Sequence, residues 1–216
     1  MQPMITRRTV FLSLAAGLAA FRAHAQPAFT PTPQDQADLS RIEAYLNGIK
    51  SLTARFMQVA PDGDITEGRV WLERPGRMRF QYDPPTPFLL IAMHGELLFN
   101  DSSLKQTSRI PLSRTPLGIL LAPKVMLSGD VTVTGMQRQP GQIQVSLVRT
   151  ASPGEGTLTL VFADNPLALR QWTVIDAQRQ ETRVTLYNVE RGVKLDNALF
   201  ELPPGLSGGG STGGGG

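Results

Sequence analysis

The chain has 216 residues, no cysteine and a formal net charge of +3. The absence of cysteine excludes a disulfide framework, a thiolate metal site and a thiol nucleophile. The positive excess sits in Arg7, Arg8 and Arg22, ahead of Gln26 and with no acidic residue among them. The remainder is near neutral, so nothing in the balance points to nucleic acid or an acidic membrane.

Those three arginines belong to a leader. Thr6-Arg7-Arg8 precedes an apolar run from Val10 to Phe21, which falls short of the roughly 20 residues that span a bilayer. Ala23-His24-Ala25 then places small residues on either side of a cut before Gln26. Residues 1–25 therefore read as a secretory signal peptide. Arg7-Arg8 also fits a twin-arginine signal imperfectly, because Phe11 comes one place late and the usual lysine is missing, so either export route remains open. With no cysteine after the cut, a lipid anchor on an N-terminal thiol is not expected, and the exported chain should be soluble. A disulfide-free domain of this size must rely on its core, burying roughly 70% of its extended surface.

Residues 26–34, with Pro27, Pro31 and Pro33, read as a loose lead-in. A helix is expected over residues 34–49, where Leu39, Ile42, Leu46 and Ile49 form one apolar stripe. A strand from Leu52 to Val59 follows, with Leu52, Ala54 and Phe56 on one side, before a turn at Pro61-Asp62-Gly63-Asp64.

Residues 66–105 hold the most regular pattern, a four-stranded meander. Arg77 to Asp83 alternates at every step, which sets Met78, Phe80 and Tyr82 on one face and the arginines on the other. Arg74-Pro75-Gly76, Pro84-Pro85 and His94-Gly95 supply the joins. The inward face is wide, oily and continuous. Residues 106–110 continue as a further strand. Residues 115–122 then read as a very apolar helix of about two turns, with Thr115 as cap, Pro116 at its first position and Pro123 as its stop. So short a helix needs a buried face to be stable.

Beyond it the chain returns to antiparallel strands with apolar alternation at Val131/Val133, Ile143/Val145/Leu147, Leu158/Leu160/Phe162, Trp172/Val174 and Val184/Leu186. Many short strands with polar outer faces indicate one mainly β (α+β) domain built on a curved sheet, half-barrel or barrel. Residues 207–216, almost all glycine, form a flexible tail. Catalytic signatures are missing: there is no H-E-x-x-H, no phosphate-binding glycine loop, no histidine pair and no G-x-S-x-G. His94 is the single histidine after the leader and sits in a turn, where a structural role is the ordinary one. No enzyme, cofactor or metal is expected.

Four stretches, in order, give the chain its resemblance to a known family: Phe56-Met57-Gln58; Gly68 to Gly76 running into Phe80 to Pro85; Thr115 to Ala122; and Leu199-Phe200-Glu201-Leu202-Pro203-Pro204-Gly205. Together they resemble the periplasmic outer-membrane lipoprotein carriers of the LolA type, over residues 35–206. The resemblance implies a single-domain unclosed antiparallel β-barrel covered by an N-terminal helix and a short lid helix. It implies a monomeric periplasmic protein that takes acylated lipoproteins from an inner-membrane ATP-driven transporter. Delivery would be to an outer-membrane receptor or to the outer membrane itself. The implied cavity lining is Phe56, Trp71, Met78, Phe80, Tyr82 and Leu90. Arg74 would bond the lid, and Leu117, Ile119, Leu120 and Leu121 would be the lid's inner face. Met57, Met78, Met93 and Met126 suit a lining that repacks around varied chains. A carrier of a free lipid or glycolipid on the same scaffold, and an envelope-stress sensor of lipoprotein acyl chains, share these features.

Overall fold

A computed structural model describes residues 29–203; the signal peptide expected at residues 1–25 and the flexible tail expected at residues 207–216 lie outside the described residues. The first element is helix α1, Pro33–Gly48. It begins inside the predicted lead-in because Thr32 and Asp35 cap it reciprocally. Asp35 N–H donates to Thr32 Oγ1 at 3.2 Å, and Thr32 N–H donates to the Asp35 carboxylate at 2.8 Å. Pro33, which has no N–H to lose, opens the first turn.

Eleven strands follow. β1 (Ser51–Val59), β2 (Ile65–Glu73), β3 (Arg77–Tyr82), β4 (Phe88–Met93), β5 (Glu96–Asp101) and β6 (Gln106–Pro111) form one meander. β7 (Val131–Gln139), β8 (Gln142–Arg149), β9 (Gly156–Ala163), β10 (Ala168–Asp176) and β11 (Glu181–Arg191) form the other. Every pairing is antiparallel, and the order across the sheet is β6-β5-β4-β3-β2-β1-β11-β10-β9-β8-β7. The two meanders meet at β1 and β11, where Phe56 faces Leu186 and Gln58 faces Val184. The sheet curls but does not close, because β6 and β7 end it on opposite edges without pairing. Residues 112–130 join those two edges and carry helix α2, Leu117–Leu120. This connection is called the strap below.

Alternation along the strands decides what lies inside. Leu52, Ala54 and Phe56 of β1, Val70 and Leu72 of β2, and Met78 and Phe80 of β3 are buried on the concave face. β8 to β11 answer with Val145, Leu147, Leu160, Phe162, Trp172 and Leu186. Ile42 and Leu46 of α1 press into the same core. The polar face of α1 is tied to one end of the sheet. Leu169 N–H donates to Tyr45 Oη at 3.0 Å beside a bulge in β10, Arg41 meets Asp164, and Arg138 at the end of β7 holds Asp35 and Asp38 at 2.7 Å each. These bonds hold Asp35 low, at a pKa of about 2, the bonds from Thr32 contributing most and Arg138 next.

The C-terminal motif packs on the convex face. Arg79 donates to the Leu199 carbonyl at 3.1 Å, and the Arg77 guanidinium lies 5.2 Å from the ring centre of buried Phe200. At the β4–β5 turn, His94 (φ 50°) and Gly95 (φ 79°) both take the left-handed conformation that a two-residue hairpin demands, which accounts for the HG pair.

Candidate functional site

Because α1 occupies one end of the curled sheet, the opposite end is left open. There a cavity of about 580 Å³ lies between the two meanders and beneath the start of the strap. Phe80 and Tyr82 of β3, Leu90 of β4, and Leu97 and Phe99 of β5 form one wall; Trp172 and Val174 of β10 and Val184 of β11 form the other. Pro116 and Leu117 of the strap roof it. Phe80 and Trp172, from opposite meanders, meet edge to face at 6.0 Å and set the cavity's depth. Tyr82 continues the aromatic wall toward Phe88 (5.8 Å) and Phe88 toward Phe99 (5.2 Å).

Polar groups gather at the rim. Tyr82 Oη donates to Gln58 Oε1 at 2.9 Å, and burial pushes the Tyr82 hydroxyl up to about 12, against the opposing pull of that bond. The hydroxyl therefore stays protonated at any physiological pH. Arg109 lies 3.4 Å from Glu96, and Arg114 of the strap lies 3.7 Å from Glu155 across the mouth. The floor is apolar and the rim polar, an arrangement that suits a ligand with an oily tail and a hydrophilic head.

The strap is held at four points, one of them its junction with β7, where the Thr150 N–H and hydroxyl donate to the Asp130 and Gly129 carbonyls at 3.0 and 2.7 Å. Leu112 N–H donates to the Gly95 carbonyl at 2.8 Å where it leaves β6. Gly76 N–H donates to the Leu121 carbonyl at 3.0 Å in its middle. At its far end α1 grips it with side chains. Asn47 donates to the Val125 carbonyl at 2.8 Å and accepts Val125 N–H at 2.9 Å, while Glu43 accepts Leu127 N–H at 3.0 Å.

Several expectations from sequence need correction. Helix α2 is one turn over Leu117–Leu120, not two over residues 115–122. Leu112–Arg114 forms a separate 3₁₀ turn, and both the N–H and the hydroxyl of Thr115 are spent on the Leu112 carbonyl, so Thr115 does not cap α2. Trp71 lies on the convex face, since Val70 and Leu72 point inward and its neighbour there is Arg69, 5.9 Å from the ring centre. Phe56 and Met78 point inward but are sealed in the core away from the cavity. Of the six expected lining residues, Phe80, Tyr82 and Leu90 reach it. Leu117 faces the cavity, Leu120 and Leu121 are packed in the core, and Ile119 faces a second, smaller pocket. Met57, Met78, Met93 and Met126 all lie outside the cavity lining.

Arg74 does not bond the lid. Its Nε and Nη2 are buried without a hydrogen-bond partner among the described residues, and burial lowers its pKa. The turn that carries it reaches the strap through the backbone of Gly76 instead. Leu97, Phe99, Trp172, Val174 and Val184 were not foreseen as lining, although the shared face of Trp172 and Val174 is visible in the alternation of β10. The grip of Glu43 and Asn47 was also missed; its trace in sequence is two polar residues, four apart, beside the Ile42/Leu46 stripe.

A family model described as outer membrane lipoprotein carrier protein LolA matches residues 47–203. The outer-membrane lipoprotein carrier protein of Pseudomonas aeruginosa PAO1 is 29% identical over 213 residues, covering 92% of this chain and 96% of that protein. The protein of the same name from Methylococcus capsulatus is 27% identical over 182 residues, covering 80% and 84%. A solved LolA superfamily protein from Nitrosomonas europaea overlays with a TM-score of 0.43 at 10% identity, covering 76% of this chain and 97% of that one, too loosely to add to the assignment. Matched by the family model over most of its length, the chain belongs to the outer membrane lipoprotein carrier family, LolA.

Proposed function

We propose that the cavity receives the acyl chains of lipoproteins while they cross the periplasm between the inner and outer membranes. The observation that carries this reading is the apolar space of about 580 Å³ left between two packed half-sheets and roofed by a separate strap. Removing one fatty chain from a bilayer costs about 0.8 kcal/mol per methylene, on the order of 10 kcal/mol for the chain. The aromatic walls of Phe80, Tyr82, Phe99 and Trp172 replace that apolar contact, and the polar rim leaves the protein part of the cargo in water. Leu117, with Pro116 beside it, is the strap's apolar contact with the chains. Arg74 acts on the strap through the turn it shares with Gly76.

On this reading residues 1–25 are removed on export, and the remaining chain works as a monomer. An inner-membrane ATP-driven transporter loads it, and an outer-membrane receptor or the outer membrane itself unloads it. The test is mass spectrometry of organic extracts from the protein purified out of its own periplasm. Cysteine-linked acyl chains are expected. Extracts holding only detergent would refute the reading, and free phospholipid or glycolipid would replace the cargo with a lipid.

A further inference from the structure

The strap has a second face. On the side of α2 away from the main cavity lies a pocket of about 320 Å³, walled by Gly118 and Ile119 of α2, by Lys124, Ser128 and Asp130 farther along the strap, and by Arg149. Arg149 is brought there by the sheet: it closes β8 opposite Val131 at the start of β7, and the next residue fixes the strap's end through Thr150 N–H donating to the Asp130 carbonyl at 3.0 Å. Lys124 is brought there by the grip of α1 on its neighbour Val125.

Three features set this pocket apart from a surface crevice. The Arg149 guanidinium lies against Gly118 so closely that a methyl group there would collide with its Nη2 and with the Leu112 carbonyl oxygen. Glycine at this place in the helix is what admits a charged group against the strap. Arg149 Nε is buried and has no hydrogen-bond partner among the described residues. Neither Arg149 nor Lys124 joins an ion pair with any described residue. A buried guanidinium N–H without an acceptor is costly, and an oxyanion is the ligand that such a donor fork recognises best.

We propose that this pocket is a second binding site, distinct from the acyl cavity, which takes a phosphate-type oxyanion between Arg149 and Lys124. The Ser128 hydroxyl supplies a further donor on the wall. The Asp130 carboxylate disfavours a fully ionised guest but accepts a hydrogen bond from a monoprotonated phosphate, or from a hydroxyl beside a phosphodiester. Lys124 belongs to the strap and Arg149 to the sheet, so both face one ligand only while the strap is seated. Binding at the site is therefore linked to strap closure, and by reciprocity the seated strap binds the anion more tightly. The inference is independent of what the main cavity carries.

Calorimetric titration of the chain at low ionic strength, with inorganic phosphate and with soluble short-chain phosphatidylglycerol as separate probes, tests it. Saturable binding is expected, weakened about tenfold or more by Arg149→Gln and by Lys124→Gln, as loss of a charge-assisted bond predicts. Amide exchange in residues 117–125 should slow when phosphate is added to the unaltered chain and stay unchanged in the variants. Phosphatidylglycerol binding that both variants weaken, without binding of inorganic phosphate, assigns the site to a lipid headgroup, and the converse assigns it to a free anion; phosphatidylglycerol binding that both variants leave intact is occupancy of the main cavity and overturns the proposal. Saturable binding by neither probe, or undiminished binding by the exposed-loop variant Lys124→Gln together with Arg149→Gln, overturns the proposal. An acyl probe titrated in parallel reports the main cavity separately.

Discussion

Replacing Asn47 by alanine should loosen the strap where α1 holds it. The side chain makes two bonds to Val125, 2.8 Å to its carbonyl and 2.9 Å from its N–H, and Val125 is only 1% exposed. Water cannot take over both backbone groups without entering the core. A hydrogen bond contributes about 1 kcal/mol net, and a buried group left unpaired costs about 1–3 kcal/mol, so the substitution should cost about 2–4 kcal/mol. That is a large share of the roughly 5–15 kcal/mol that holds a domain folded. Denaturant unfolding measures the global part. Amide exchange at residues 121–127 measures the local part, and opening of the strap alone by this amount speeds exchange there about 30- to 1,000-fold while strands β1 and β11 keep their protection. A midpoint unchanged to within about 0.5 kcal/mol, with unchanged exchange in the strap, would show that Asn47 is not its anchor.

Two further outcomes follow from the same geometry. Asp35 has its folded pKa depressed to about 2 from 3.8, so the stability it contributes is present above about pH 4 and is lost as pH falls from there through 2. Denaturation midpoints followed from pH 5 to pH 2 should therefore drop less steeply in Asp35→Asn than in the unaltered chain; parallel curves would mean that Arg138 and Thr32 do not hold the carboxylate as described. Gly68 faces inward from β2, where a methyl would strike the Gln81 carbonyl oxygen and sit 2.7 Å from Phe56 Cε1. Gly68→Ala should cost about 3 kcal/mol, at the upper end for overpacking because one neighbour is strand backbone, and a loss below about 1 kcal/mol in denaturant unfolding would refute the clash.

The strands were legible because each announces itself with its own period: Met78, Phe80 and Tyr82 alternate with Arg77, Arg79 and Gln81 whatever surrounds them. Helix α1 was legible for the same reason, apart from a start that depends on the Thr32–Asp35 exchange of bonds. Alternation says which face a residue is on and nothing about how far the opposite wall stands. Met78 and Phe80 share a face, yet Met78 is fully buried in the core while Phe80, which meets Trp172 of β10 edge to face, borders the cavity. Trp71 was placed inward by the resemblance, although its neighbours Val70 and Leu72 already carry the inward positions of β2. The Thr115-Pro116 cap signal misled because the Thr115 hydroxyl had a nearer acceptor at Leu112, in a 3₁₀ turn that no residue pattern marked. The hold of Asn47 on Val125 joins residues 78 positions apart and leaves no periodic trace.

The strand order explains why cover and cavity come together. A meander running outward from β1 and another running outward from β11 must finish on opposite edges, and those edges, β6 and β7, are consecutive in the chain. The segment between them has no route except across the gap, so the connection that completes the topology is also the roof. Its fastenings are unequal: single backbone bonds tie Leu112 to Gly95 and Leu121 to Gly76, whereas side chains of α1 hold Val125 and Leu127 with three bonds. Pro123 and Lys124 lie between the two kinds of fastening. Leu117, which roofs the cavity, lies between the two single backbone bonds. The part of the strap over the cavity is therefore tied to the sheet by single backbone bonds, and the part beside the second pocket by side chains of α1.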